Sequence, residues 1–264
     1  MKKTISSALV ISTYNWPEAL DLCLKSVANQ VVMPDEIIIA DDGSGPETQA
    51  VIERHKQSLK IPIKHLWHMD EGFRKSIILN KALKESSSDY VIQIDGDVIL
   101  DKHFVYDHLA FAERNTFIRG TRAMLTKEKT EKVLREGKVK FSPFEDGLNN
   151  WYNALRLPLV RWLGTRKEMS SKRVRGSNLS FWKADFIKVN GYNNNLTGWG
   201  HEDEELAARF INNGIMKKII KLSAVQYHLY HSVHSKANEP KHADEVDRVI
   251  SEKIKTSSNG YSEI

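Results

Sequence analysis

Two periods alternate along the first 120 residues. Ala8 to Thr13 is a short apolar run that predicts a strand. Pro17 then opens a helical stretch, at the early position where proline is tolerated, and Leu20, Leu24, Val27 and Ala28 share one of its faces. Glu36 to Ala40, centred on Ile37-Ile38-Ile39, predicts a second buried strand; Gly43-Ser44-Gly45-Pro46 breaks it, and a second helix follows to about Lys56. Ile61 to Trp67 predicts a third strand, Phe73 to Glu85 a third helix and Tyr90 to Ile94 a fourth strand. Strands alternating with helices imply right-handed crossovers and a mostly parallel sheet, an α/β fold. Ligands bind such sheets beyond the carboxyl ends of the strands. Three polar clusters fall there: Thr13-Tyr14-Asn15, Asp41-Asp42-Gly43-Ser44 and Asp95-Gly96-Asp97.

Residues 121 to 176 are less regular and rich in Lys and Arg. Trp151 to Leu163 carries aromatic and aliphatic residues beside Arg156 and Arg161, and Pro158 divides it into two short pieces. With the basic run Lys172-Arg173-Val174-Arg175, this segment reads as an insertion packed on the core, or as a lid or membrane-surface contact. Regularity returns with a strand at Ser177 to Trp182 and a short helix, Lys183 to Val189, stopped by Asn190-Gly191. Glu202 to Asn213 is strongly helical, with Leu206, Ala207, Phe210 and Ile211 on one face and Gly214 as its stop. A strand around Ala224 to Tyr227 leads into His228-Leu229-Tyr230-His231, and the charged stretch after Pro240 predicts one exposed helix.

Composition narrows the choice. With 41% hydrophobic and 28% charged residues in 264, a sizeable core is expected. A single cysteine, Cys23, excludes an internal disulfide and any multi-cysteine metal cluster, and fits a reducing compartment. The net charge of +5 comes from dispersed lysines, without a basic stripe interleaved with aromatics. That points away from nucleic acid and toward anionic substrates or anionic lipid. Met1-Lys2-Lys3 leads into a polar patch, and no apolar stretch reaches the ~18 residues of a spanning helix. A cytoplasmic protein with at most peripheral contact at an anionic membrane is expected.

The acidic clusters suggest the chemistry. Asp95-Gly96-Asp97 sets two carboxylates at a strand end, the hard oxygen donors that a divalent cation and a nucleotide diphosphate call for. The same tripeptide is also a good turn. Gly198-Trp199-Gly200 bends around an indole on which a sugar ring can stack. The acids that follow also suit a helix N-terminus.

In this order, Ile39-Ala40-Asp41-Asp42-Gly43-Ser44, Ile94-Asp95-Gly96-Asp97 and Gly198-Trp199-Gly200-His201-Glu202-Asp203 resemble the inverting nucleotide-sugar glycosyltransferases of the GT-A fold. Family 2 is the nearest likeness, with a galactosyltransferase-type C-terminal part, over about residues 7 to 240. The resemblance implies a Rossmann-like, mostly parallel sheet flanked by helices, with a smaller acceptor-side portion. Residues 1–240 would form one domain, with 1–120 as the nucleotide-sugar half, 121–240 as the acceptor and catalytic half, and 241–264 as a charged tail. Thr13, Tyr14, Asp41 and Asp42 would hold the base and ribose, Asp41 being favoured over Asp42 for the base. Arg74, Asp95 and Gly96 would lie along the sugar nucleotide. Asp97 would be the direct ligand of Mn2+ or Mg2+, with His231 as a further ligand and His228 and His234 as alternatives. Imidazole fits Mn2+ better than Mg2+. Trp199 would be a sugar platform, Asp203 the general base and Glu202 the residue that orients acceptor or donor, the two acids being able to exchange roles.

Two places depart from the pattern. Trp16 stands where an arginine often follows Thr-Tyr-Asn, and Asn193-Asn194-Asn195 where an acid is frequent; the latter loop is expected to bear on sugar choice. The implied reaction moves a hexose or N-acetylhexosamine from a UDP-sugar to a hydroxyl of a saccharide or lipid-linked saccharide, in surface polysaccharide or lipopolysaccharide synthesis. One alternative is a nucleotidyltransferase, whose glycine-rich basic loop is missing after the first strand. The other is a non-catalytic nucleotide-sugar-binding subunit of a glycan assembly complex.

Overall fold

The computed structural model describes residues 5–232 and 238–264. Its first half is the alternating pattern made solid. Strands β1 (Ser7–Thr13), β2 (Glu36–Asp41), β3 (Ile63–Trp67) and β4 (Tyr90–Asp95) lie parallel in the order β3-β2-β1-β4. Helices α1 (Pro17–Ala28), α2 (Pro46–Ser58) and α3 (Lys75–Glu85) make the crossovers. Strands β1, β2 and β4 are buried on both faces and read as mostly apolar runs, whereas edge strand β3 is only partly buried and carries Lys64 and His65. Alternate residues divide between two cores: Leu9, Ile11, Ile37, Ile39 and Ile92 pack toward Leu20, Leu24 and Ile52, whereas Ala8, Val10, Ile38 and Val91 pack toward Ile78, Leu79 and Phe210. Register aligns Thr13 with Asp41, Asp41 with Trp67, and Ser12 with Asp95, so the polar clusters share one edge.

The second half adds β5 (Val98–Leu100), α4 (Phe104–Phe111), β6 (Thr116–Arg119), β7 (Ala123–Leu125), α5 (Lys127–Glu136), β8 (Leu148–Asn149) and β9 (Arg166–Glu168). Then come β10 (Leu179–Trp182), α6 (Lys183–Lys188), α7 (Glu202–Asn212), β11 (Met216–Ile219), β12 (Gln226–His228) and α8 (Glu239–Ser251). The main sheet continues from β4 as β10-β6-β11-β9, with β10 antiparallel to both neighbours. A smaller sheet, β5-β12-β7-β8, carries the polypeptide from the Asp-Gly-Asp turn back to the histidine cluster.

Three expectations shift. The third strand begins at Ile63 and the third helix at Lys75, because Pro62 and Gly72 hold the preceding residues as loop. The helix after Pro240 exists but is not simply exposed: α8 lies on α7 and buries His242, Val246 and Val249. Residues 257–261 then run along the Asn190 turn, where Asn194 N donates to the Asn259 carbonyl at 2.9 Å and Tyr261 N to the Asn190 carbonyl at 2.8 Å.

Candidate active site

The Asp-Gly-Asp turn splits its two acids. Asp95 points inward, where its Oδ1 accepts from Ser12 Oγ at 2.8 Å and from Lys75 Nζ at 2.7 Å. Burial opposes its charge, but the Lys75 ammonium overrides burial and holds the carboxyl at about 2. Gly96 sits in a tight place: a Cβ there would stand 3.1 Å from both the Ser12 carbonyl and Thr13 Oγ1, so these neighbours would have to give by a few tenths of an ångström.

Asp97 turns toward the exit of β12. Its Oδ2 is 3.2 Å from His231 Nε2 and 3.5 Å from His228 Nε2. Each imidazole donates Nδ1–H to a main-chain carbonyl, His228 to Leu229 at 2.7 Å and His231 to Ser232 at 2.8 Å. That turns both Nε2 atoms toward Asp97, the atoms that a neutral histidine would offer to a metal. Asp97 Oδ1 is buried and has no hydrogen-bond partner among the described residues. One carboxylate and two imidazoles converging on an unsatisfied oxygen fit a first-row divalent ion. The hydrogen bond to Asp97 raises the His231 pKa, while burial lowers that of His228. Sequence alone left His228, His231 and His234 open; the first two meet Asp97, and His234 lies outside the described residues.

The second acid pair opens α7. Asp203 Oδ2 accepts from Gly176 N at 2.6 Å, and its Oδ1 accepts from Tyr192 Oη at 2.9 Å. Tyr192 Oη also lies 3.0 Å from Gln93 Oε1, so the base candidate is braced from β4 as well. A Cβ at Gly176 would come within 2.6 Å of Asp203 Oδ1 and of Gln93 Nε2. Glu202 is buried; desolvation, then the Asp203 charge, push its carboxyl up to about 7. Lys75 Nζ stands 3.9 Å from Glu202 Oε1 and so links this pair to Asp95. Sequence reading missed Lys75. The signal was a lysine opening a helix, where the macrodipole disfavours it unless carboxylates stand near.

At the other end, Asp41 Oδ1 accepts from Ser44 N at 2.8 Å and its Oδ2 lies 2.9 Å from His65 Nε2. Asp42 is 2.6 Å from His68 Nε2 and accepts from Arg74 N at 2.8 Å, which organises the 68–74 segment. Thr13 is buried beside Asp41, and half-exposed Tyr14 donates its hydroxyl to Asp70 at 2.8 Å. The Arg74 guanidinium pairs with Glu71 at 2.5 Å and with the Met69 carbonyl. Exposed Trp67, which the sequence reading also missed, bonds the Ser44 carbonyl at 3.0 Å next to Asp41.

Trp199 is half-buried in a loop held on both sides: Gly198 N donates to the Phe73 carbonyl at 2.9 Å, and His242 Nδ1 to the Gly200 carbonyl at 2.7 Å. Asn194 is buried against Asn80 and Asn259, so it braces this region.

The middle segment forms two 3-10 turns, Trp151–Ala154 and Arg161–Gly164, on either side of Pro158. Its apolar residues face outward, Leu159 at 91%, Trp162 at 68% and Leu163 at 64% exposure. Its arginines do not flank them as expected. Buried Asp107 draws both inward, Arg156 through two bonds of 2.8 Å and Arg161 at 4.0 Å. Among the described residues, no helix is long and apolar enough to cross a membrane.

Comparison with known proteins agrees with this geometry. The profile "Glycosyl transferase family 2" matches residues 8–170, and "N-terminal domain of galactosyltransferase" matches 164–234. Validoxylamine A glucosyltransferase of Streptomyces hygroscopicus subsp. limoneus is 28% identical over 79% of this chain and 48% of its own length. Chondroitin synthase of Pasteurella multocida is 24% identical over 86% of this chain and 25% of its own. The chain spans about half the length, 48% and 52%, of the first two curated relatives it matches. In fold it is similar to S. aureus TarS 1-349 in complex with UDP, at TM-score 0.64 and 17% identity over 98% of this chain and 68% of that one. It is also similar to GalNAc-T7 with UDP, GalNAc and Mn2+, at TM-score 0.68 and 14% identity over 94% of this chain and 48% of the other. An eight-stranded α/β sheet of GT-A type, the acid pair at α7 and a profile match over more than half the sequence agree: the chain belongs to glycosyl transferase family 2.

Proposed function

We propose that this chain is a metal-dependent, inverting glycosyltransferase that moves a hexose or N-acetylhexosamine from a UDP-sugar to a hydroxyl of a saccharide or lipid-linked saccharide. The observation that carries this reading is the pairing of two centres: the Asp97-His228-His231 donor set and, across Lys75, the Glu202-Asp203 pair. Direct displacement needs a base on one side of the anomeric carbon and a stabilised leaving group on the other, with no covalent intermediate.

Asp203 takes the proton of the acceptor hydroxyl as that oxygen attacks the anomeric carbon. The bond to the UDP oxygen breaks on the opposite face, and configuration inverts. The Gly176 and Tyr192 donors keep the Asp203 carboxylate aimed. Glu202, whose carboxyl titrates near neutrality, shares a proton with an acceptor or donor hydroxyl and orients it. Lys75 holds Asp95 and offsets the accumulated negative charge. Asp97, His228 and His231 would hold Mn2+ or Mg2+, the imidazoles favouring Mn2+, and the bound ion supplies positive charge against the departing diphosphate. Thr13, Tyr14, Asp41 and Asp42 serve the base and ribose, Arg74 and Gly96 the diphosphate side, and Trp199 the sugar.

Exposed Leu159, Trp162 and Leu163 support a peripheral seat on a membrane that carries a lipid-linked acceptor. The setting proposed is surface polysaccharide or lipopolysaccharide synthesis.

UDP release from a panel of UDP-sugars with Mn2+, with and without EDTA, tests the reading. Asp97→Ala is expected to abolish release and to weaken UDP binding in Mn2+, since the donor set loses its carboxylate. Undiminished turnover in EDTA, or a fully active variant, overturns the metal role. A protein that binds UDP-sugars and releases UDP from none of them is the non-catalytic subunit.

A further inference from the structure

Beside the acid pair opens a cleft of about 690 Å³ that the reaction just described does not use. Five arginines line it, Arg119, Arg122, Arg166, Arg173 and Arg175, together with three lysines and a single acid, Glu168. Glu168 is already taken, by Lys217 at 2.9 Å and Arg166 at 3.3 Å. Arg119 donates to the Arg173 carbonyl at 3.1 Å and Arg122 to the Ser177 hydroxyl at 3.3 Å, both neutral acceptors. Among the described residues, neither makes an ion pair. Desolvation, then Arg175, lowers the pKa of both guanidinium groups: half-buried Arg119 and Arg122 stand beside exposed Arg166, Arg173 and Arg175, a self-repelling cluster short of anions.

The lining borders the backbone that braces the base candidate. Arg175 precedes Gly176, whose N–H donates to Asp203 at 2.6 Å. Arg122, unlike Arg119, also feels the charges of Asp95 and Asp97. A molecule lying along these arginines would therefore present its near end to the base and extend away from the donor.

We propose that this cleft holds an anionic acceptor, a glycan whose phosphate or carboxylate groups are gripped by Arg119, Arg166, Arg173 and Arg175 while its hydroxyl reaches Asp203. The proposal rests on the transferase reading and names the acceptor class for that same site. Guanidinium forks match both anions in pairs of parallel hydrogen bonds. An anion there relieves the mutual repulsion of the cluster, which a neutral sugar cannot do.

Three probes decide it: phosphorylated mannopentaose, neutral mannopentaose and tetragalacturonate. Each is titrated against the full chain saturated with UDP and Mn2+, so that the donor site is filled. At low salt at least one anionic probe binds about tenfold or more tighter than mannopentaose, since each charge-assisted contact is worth at least that factor. The preference fades as salt rises. The double variant Arg119→Gln/Arg175→Gln loses the preference and still binds UDP; the salt dependence of the native protein tests the idea even where the variant fails to fold. Preference for the phosphate probe alone marks a phosphate-bearing acceptor, and for tetragalacturonate alone a uronate-bearing one.

Equal affinity for all three probes overturns the proposal, as does a preference that survives in the folded double variant. A preference seen without UDP and gone with it also overturns it, because the arginines then serve the donor diphosphate. UDP-sugar turnover is read separately. Turnover with no preference for anionic acceptors ends this proposal and leaves the transferase standing, whereas absence of turnover with every UDP-sugar ends the transferase reading while the binding contrast still decides the cleft.

Discussion

Asp203 is held by two donors that do no chemistry of their own, Gly176 N and Tyr192 Oη. Asp203→Asn keeps the shape and loses the proton acceptor, so turnover should fall ~100- to 10,000-fold with UDP affinity kept. A variant with native turnover removes Asp203 from the role of base. Gly176→Ala probes placement instead. Its Cβ would sit 2.6 Å from Asp203 Oδ1, so the carboxylate must shift. A displacement on the order of 1 Å at a reacting group costs about 100-fold in rate. The expected signature is a fall in kcat with unchanged UDP binding; an unaltered kcat would mean that Asp203 tolerates movement.

Among the elements, β2 and the loop before β4 are joined by one carboxylate. Glu36 Oε1 accepts from Ser88 Oγ at 2.7 Å, Ser87 N at 2.8 Å, Ser86 Oγ at 2.9 Å and Ser88 N at 3.0 Å, while Lys64 Nζ reaches its Oε2 at 3.0 Å. Burial alone would raise this carboxyl, but the donors bring it from an ordinary 4.5 to about 2. The folded form therefore binds the proton more weakly than the unfolded one. The resulting stability is fully present above the unfolded value of 4.5 and is lost as pH falls toward about 2. Glu36→Gln should cost about 2 kcal/mol near neutrality, from lost charge-assisted hydrogen bonds, and progressively less in acid. Urea unfolding at several pH values checks this; a penalty independent of pH contradicts the titration.

The same elements show what a sequence can tell. Strands β1, β2 and β4 are legible because burial on both faces makes their centres mostly apolar, with Gln93 the exception in β4, and the edge where their acids meet follows from topology. The acid pair was legible because Gly198-Trp199-Gly200 announces it. Strands β5, β7 and β8 were not, being two or three residues long and paired only through β12 and β7. Nor was the inward turn of Arg156 and Arg161, since Asp107 lies far from them along the chain and carries no local mark. The choice between His228 and His231 needed β12 in place, which seats both beside Asp97.

On the scale of the whole molecule, the apolar face at Leu159, Trp162 and Leu163 is the part most foreign to a purely aqueous surface. Arg156 and Arg161 are committed to Asp107, Arg166 to Glu168 and Lys167 to Glu113, so the apolar side chains carry most of any membrane contact. The native protein should co-sediment with anionic vesicles at low salt, and Trp162→Glu/Leu163→Glu should stay in the supernatant with UDP binding intact. No sedimentation of the native protein removes the membrane seat.

The antiparallel strand β10 carries a consequence for how the molecule comes into being. It lies between β4 and β6, yet it follows both in sequence by about 60 residues or more. During synthesis, β1 to β4 leave the ribosome with their crossovers and can pair at once, while the far side of β4 stays an open edge until Leu179–Trp182 arrives. Contacts of such separation form late, after the cost of closing a long loop. The nucleotide end can thus fold early, whereas Asp203 waits for β10, α7 and the docking of residues 257–261. A nascent chain would then gain the proposed base-and-ribose end first, Asp203 later, and the two histidines beside Asp97 last of all. Pulse-labelled ribosome complexes, arrested before and after β10, should differ in protease resistance at β4.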